Sequence, residues 1–166
     1  MGPVLANCGV GLATPARPVL NFWARRGLEP TPTPDFANAG PKVALINGQA
    51  GSGGDAFPYY FKKMGMGPLI GTTTWGGLIG LSGNPALVDG GTLTTPTFRF
   101  LTTEGQWAVE AEGVAPDIEV IDRPDALAKG QDPTLEKGIE LLLQELQKNP
   151  PKKVVVPPIP KGGAPR

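Results

Sequence analysis

The hydrophobic pattern is regular in only a few stretches, each closed off by glycine or proline. Pro41 to Ile46 and Pro68 to Gly71 are short apolar runs and read as buried strands. Between them, Gly53 to Met64 reads as a helix, with Ala56, Phe57, Tyr60, Phe61 and Met64 on one stripe. Pro58 lies near its start, where a missing N–H costs little, and "MGMGP" ends it. Asp132-Pro133 opens a second helix that runs through Gln147, with Leu135, Ile139, Leu142, Leu143 and Leu146 as its apolar face. Val19, Phe22 and Trp23 fall at helical spacing, which predicts a further helix over Pro18 to Arg26.

The remaining chain is less periodic. "EPTPTPDFANAG" takes an extended, irregular path because of its closely spaced prolines. "TTTWGGLIGLSGNPALVDGG" is a glycine-rich loop with a strand at Leu78 to Leu81. Thr97 to Thr102 and Gln106 to Glu110 alternate as a hairpin closed at Glu104-Gly105, and "EGVAPDIEV" leads back into extended chain. Residues 1–17 read as a disordered or unrelated leader, and 150–166 as a proline-rich disordered tail or docking peptide. That leaves 18–149 as the folding unit, with no internal repeat.

Composition narrows the chemistry. The chain has 166 residues, which favours one domain, and its Gly 24 and Pro 20 shorten elements and lengthen connections. Lys+Arg 15 balances Asp+Glu 15, so no basic face argues for nucleic acid. Cys8 stands alone, so no internal disulfide and no thiolate metal cluster is available. The sequence contains no histidine, which removes imidazole metal sites and the commonest general base. No window is apolar for long enough to span a membrane. "LANC" has the outline of a lipoprotein cleavage box, but Asn7 stands where a small residue is wanted. The compartment is therefore left undefined.

The segment "LINGQAGSGGDAF" places one hydroxyl, Ser52, among Gly48, Gly51, Gly53 and Gly54, between a strand and a helix. A phosphate loop would need a lysine where Gly54 stands. Gly51, Gly53 and Ala56 match a dinucleotide fingerprint, yet no carboxylate follows until Asp89. Two readings stay level on physical grounds. Ser52 is either a nucleophile held out at a strand-to-helix corner or the N-cap of the helix.

"GPKVALINGQAGSGGDAFPYYFKKMGMGPLIGTTTWGGLIG", followed by "EGQWAVEAEGVAPDIEV", resembles the catalytic core of the tricorn proteases. These form a branch of the tail-specific, or C-terminal-processing, serine peptidase superfamily. The resemblance covers roughly Pro18 to Asn149. It implies an α/β fold, a ClpP/crotonase-like core of βα units with helices packed on a sheet, its N-terminal part truncated. It implies proteolysis of a peptide or protein substrate with no cofactor and no metal. Ser52 would be the nucleophile and the Gly53 N–H an oxyanion donor. Trp75, Gly76 and Gly77 would belong to the substrate-cleft loop.

One branch of that superfamily activates its serine with a lysine directly after a T-F-G. Here Thr74-Trp75-Gly76 is followed by Gly77, which points to the branch that uses serine, histidine, serine and glutamate. Glu110 in "VEAEGVAPD" matches the glutamate, with Glu112 the alternative. The matching serine–histidine pair would lie upstream, before a PDZ-like segment, together with a second oxyanion donor. Lys62 and Lys63 are poor substitutes, since Lys62 lies ten residues beyond Ser52, roughly 15 Å along a helix. The expected state is a piece of a serine peptidase that is inactive alone and acts with the upstream segment. The alternative is a non-catalytic binding or assembly module derived from a peptidase. Association of copies is left open.

Overall fold

Residues 21–25, 27–33, 40–151 and 153–158 are described by a computed structural model. The leader over 1–17 lies outside them, as does the tail from 159; residues 153–158 are exposed and carry no regular element. The first elements are β1 (Asn21–Trp23) and β2 (Thr31–Thr33), paired antiparallel with Phe22 opposite Pro32. The helix expected over Pro18 to Arg26 is therefore wrong for 21–23, and part of the proline segment is regular after all. A helix of that length needs a packed face to persist. Phe22 and Trp23 have none, at 41% and 68% exposure, and their aromatic rings favour a strand. Pro32 is tolerated because both strands of a two-stranded ribbon are edges.

The core is α/β. β3 (Ala44–Ile46) leads through the glycine corner into α1 (Gly53–Lys63), and α1 returns the chain to β4 (Leu69–Gly71). β4 pairs parallel with β3, Leu45 opposite Ile70, and parallel with β5 (Ile118–Glu119), giving the order β3-β4-β5. Ala44, Ile46, Phe61, Leu69, Val109 and Val114 form the buried cluster. Pro58 sits a full turn inside α1, not near its start, so the Gly54 carbonyl loses its i+4 partner; the ring is buried in exchange.

After β5 come α2 (Pro124–Leu127), which the pattern did not announce, and α3 (Pro133–Lys148). Asp132 caps α3, accepting the Leu135 N–H at 2.9 Å. α3 packs on β3 and β4 through Gly138, where an added Cβ would lie 3.1 Å from Leu45 and 3.5 Å from Val43. The five-residue apolar stripe is thus only partly the packing face: Leu135, Ile139 and Leu143 remain 44%, 48% and 54% exposed. A parallel sheet approached this closely needs a small residue at the contact. The expected strand at Leu78 to Leu81 reduces to one bridge, Gly80 to Phe98. The hairpin is present as a bridge between Leu101 and Trp107, with the Thr102 N–H donating to the Gln106 carbonyl.

Two predictions arise here. Gly71 has φ +126, and a Cβ there would fall 1.9 Å from the carbonyl oxygen of Ile46, its partner in the last pair of the β3–β4 register. Gly71→Ala is expected to destabilise the chain by about 3–5 kcal/mol, the upper end for single substitutions. Urea unfolding measures this, and a loss below about 1 kcal/mol contradicts it.

The second concerns acid. Asp117 accepts from Lys62 Nζ at 2.7 Å and from the Leu69 N–H at 2.9 Å, tying the end of α1 to the start of β4. The Lys62 ammonium first, then the Leu69 N–H, hold its carboxyl below the usual 3.8. A depressed folded-state value means stability present above the unfolded value and lost as pH falls through the folded one. The pair is half-exposed, so the contribution is small. Asp117→Asn should flatten the stability–pH curve below about pH 4 and leave its neutral arm parallel to wild type; an unchanged acid limb refutes the linkage.

Candidate active site

Glycine-rich chain after β3 turns back at Ser52 and enters α1 with Ser52 in the N-cap position. Its backbone lies at φ 55, ψ −111, outside the ordinary regions for a residue with a Cβ. The side chain makes no capping hydrogen bond and the residue is exposed. Ser52 thus occupies the cap position without doing the work of a cap. The Ser52 N–H donates to the Gly77 carbonyl at 2.8 Å. Gly53, the first helical residue, is exposed, and its N–H finds no acceptor among the described residues. Such orphan N–H groups, at the positive end of a helix, favour an oxygen bearing negative charge.

Trp75, Gly76 and Gly77 run directly beside this corner. The Trp75 N–H donates to the Ala50 carbonyl at 2.9 Å, and its indole is 70% exposed. The ring lies on the backbone of Gly51 and Gly77: a Cβ on either would come within 2.5 or 2.6 Å of it. A side chain at position 77 would therefore require the exposed Trp75 ring to move. Gly76 has φ +78, and a Cβ on it would meet the Gly113 backbone nitrogen at 2.6 Å. Main chain packs on main chain, which brings residues 109–113 against the loop.

Glu110 projects from that second segment. Its Oε2 accepts the Leu78 N–H at 2.7 Å and the Ile79 N–H at 2.6 Å. The peptide group joining Gly77 to Leu78 thus connects the two sites. Its carbonyl takes the Ser52 N–H, and its N–H goes to Glu110. Oε1 has no partner among the described residues. Glu110 is flanked by Val109 at φ 71 and Ala111 at φ 67. The Glu110 N–H donates to the Ala108 carbonyl at 2.8 Å, closing a strained γ-turn over a β-branched residue. Glu112 is exposed, and its carboxylate makes none of these contacts. Sequence had weighed both; the geometry brings only Glu110 to the corner.

The lysines stand apart. Lys62 pairs with Asp117 and donates to the Ala115 carbonyl, and Lys63 lies 5.7 Å over the Tyr59 ring. Lys42 precedes β3, at the opposite end of that strand from the corner, and burial lowers its pKa. Asp55 was not singled out in the sequence, yet it is fully buried and accepts the Gly76 and Gly77 N–H groups at 2.8 and 3.0 Å. An aspartate in a first helical turn looks locally like a dipole partner, so no local signal marked it. Among the described residues, no helix is long and apolar enough to cross a membrane.

The chain is similar in sequence and fold to known proteins. The model of peptidase family S41 matches residues 16–120. Tricorn protease homolog 1 of Streptomyces coelicolor is 42% identical over 137 residues, covering 82% of this chain and 13% of that protein. The tricorn protease of Thermoplasma acidophilum is 43% identical over 124 residues, 74% of this chain and 11% of that protein. A crystal structure of the tricorn protease superposes with a TM-score of 0.71 at 38% identity, over 76% of this chain and 12% of that one. Mature CPAF superposes with a TM-score of 0.53 at 26% identity, over 66% of this chain and 21% of that one. The chain spans little more than a tenth of the curated relatives it matches.

Proposed function

The chain belongs to peptidase family S41, and we propose that residues 18–149 carry the nucleophile and the distal acid of a serine peptidase centre whose base is a histidine outside this sequence. Ser52 is the nucleophile. The Gly53 N–H stabilises the oxyanion as the substrate carbonyl becomes tetrahedral. Glu110 turns its Oε1 toward a further hydrogen-bonding group and orients the histidine through an intervening serine. Trp75, Gly76 and Gly77 border the cleft that receives a peptide or protein substrate.

One observation carries this reading. Among the described residues, the non-glycine residues with positive φ are Ser52, Val109 and Ala111: the assigned nucleophile and the two neighbours of the assigned acid. Each such conformation costs on the order of 1–3 kcal/mol, and local strain of this kind collects where geometry serves chemistry. Ser52 itself is relieved of capping and left exposed.

A serine hydroxyl without a base is a weak nucleophile at neutral pH, so the chain by itself is inactive. Activity requires a family segment bearing the Ser-His pair and a second oxyanion donor, in cis or in trans. Peptide hydrolysis is measured with and without that segment, for wild type and Ser52→Ala. Turnover that survives Ser52→Ala overturns the assignment. Failure of complementation with an intact corner favours a binding or assembly module, a reading that the half-exposed Leu135, Ile139 and Leu143 on α3 also suit.

A further inference from the structure

Asp55 is the fully buried charged side chain of the described core, and among the described residues no cation pairs with it. A carboxylate so enclosed must be satisfied by hydrogen bonds. Both oxygens are: Oδ1 takes the Gly76 N–H and Oδ2 the Gly77 N–H. Together with Glu110, which holds the N–H groups of Leu78 and Ile79, two carboxylates secure four consecutive amides of one loop. That loop presents the Gly77 carbonyl to the Ser52 N–H. Asp55 lies three residues after Ser52, on the first turn of α1, where its own N–H donates to the Ser52 carbonyl.

We propose that Asp55 is a positioning residue for Ser52, which rests on the assignment of Ser52 made above. By anchoring Gly76 and Gly77 to α1, it fixes the Gly77 carbonyl opposite the Ser52 N–H. This bond draws the Ser52 N–H away from solvent, leaves the Gly53 N–H as the free donor, and holds Ser52 at its positive φ. Ser52 would otherwise relax toward a helical or extended conformation. A carboxylate suits this task because it accepts two adjacent N–H groups at once. Asparagine would set its NH₂ against one of them.

The experiment reads the amides directly. In the labelled wild-type chain, NMR should show scalar couplings across the hydrogen bonds from the Gly76 and Gly77 nitrogens to the Asp55 carboxylate, and from the Ser52 nitrogen to the Gly77 carbonyl. In Asp55→Asn the Ser52 coupling should vanish and the Ser52 amide exchange about 100-fold faster, while α3 amides keep their rates. A folded variant that retains the Ser52 coupling overturns the proposal. Should Asp55→Asn not fold, wild type decides. Ser52, Gly76 and Gly77 should exchange within about twofold of one opening rate, and a Ser52 amide about tenfold faster than Gly77 refutes the lock.

With the histidine-bearing segment present, Asp55→Asn should lower kcat about 100-fold with KM within about threefold. A raised KM at unchanged kcat speaks against positioning. If the wild-type chain gains no turnover from the segment, the peptidase reading fails, and the amide measurements still decide the role of Asp55.

Discussion

Supplied with a family segment that carries the serine–histidine pair, the chain is expected to hydrolyse peptides about 10⁴–10⁶-fold faster than it does alone, and Ser52→Ala should abolish the gain. The magnitude follows from what a base contributes. Without one, a serine peptidase keeps only binding and oxyanion stabilisation, roughly 10³–10⁴ over water. A proton acceptor must come within about 3 Å of the hydroxyl. No histidine exists in the sequence, Lys62 and Lys63 are engaged elsewhere, and position 77 is a glycine. The isolated chain should accordingly match its own Ser52→Ala variant in peptide turnover and resist labelling by fluorophosphonates. Strong Ser52-dependent turnover without any added segment would sink this account, and Lys42→Met would then be the first variant to make.

Glu110→Gln is expected to lower kcat of the complemented enzyme by about 10²–10⁴-fold, in the range found when the acid of a serine-protease triad is neutralised. Glutamine keeps the length of the side chain, and its amide oxygen can still accept the Leu78 and Ile79 N–H groups now bound to Oε2. The loop therefore stays in place, and the loss reports the missing charge on the free side of the carboxylate. Glu112→Gln, at an exposed position, should change kcat within about threefold, or roughly 0.7 kcal/mol of barrier. Steady-state kinetics of the two variants side by side give the answer. Equal effects, or a larger one at Glu112, would move the acid from the residue that the corner touches to the one it does not.

The central βαβ unit was legible in the sequence. Its strands are apolar runs of a few residues, α1 has an amphipathic stripe, and glycine and proline mark every boundary. The Asp132 cap of α3 was legible for the same reason, because cap and first turn are neighbours in sequence. Ser52 at the corner, and Glu110 by resemblance, were singled out from motif alone. These features depend on preferences that act within a turn or two, and such preferences are written in local residue order.

Other features were decided only by chain segments far apart in sequence. Asp55 looks like any acid at the head of a helix until Gly76 and Gly77, 21 and 22 residues on, bring their N–H groups to it. Whether Ser52 capped its helix or kept its hydroxyl free was undecided by the glycines around it, and the backbone at φ 55 resolved it. Glu110 and Glu112 are two residues apart and locally equivalent, but the turn at Val109 directs one to the loop and leaves the other in solvent. The face of α3 that packs was set by how closely β3 and β4 approach at Gly138, not by where its leucines fall. Short β1 formed instead of a helix because no surface was offered to cover Phe22 and Trp23. Local order sets which conformations are cheap; the pairing of distant N–H groups with buried carboxylates, and the space left between packed backbones, selects among them.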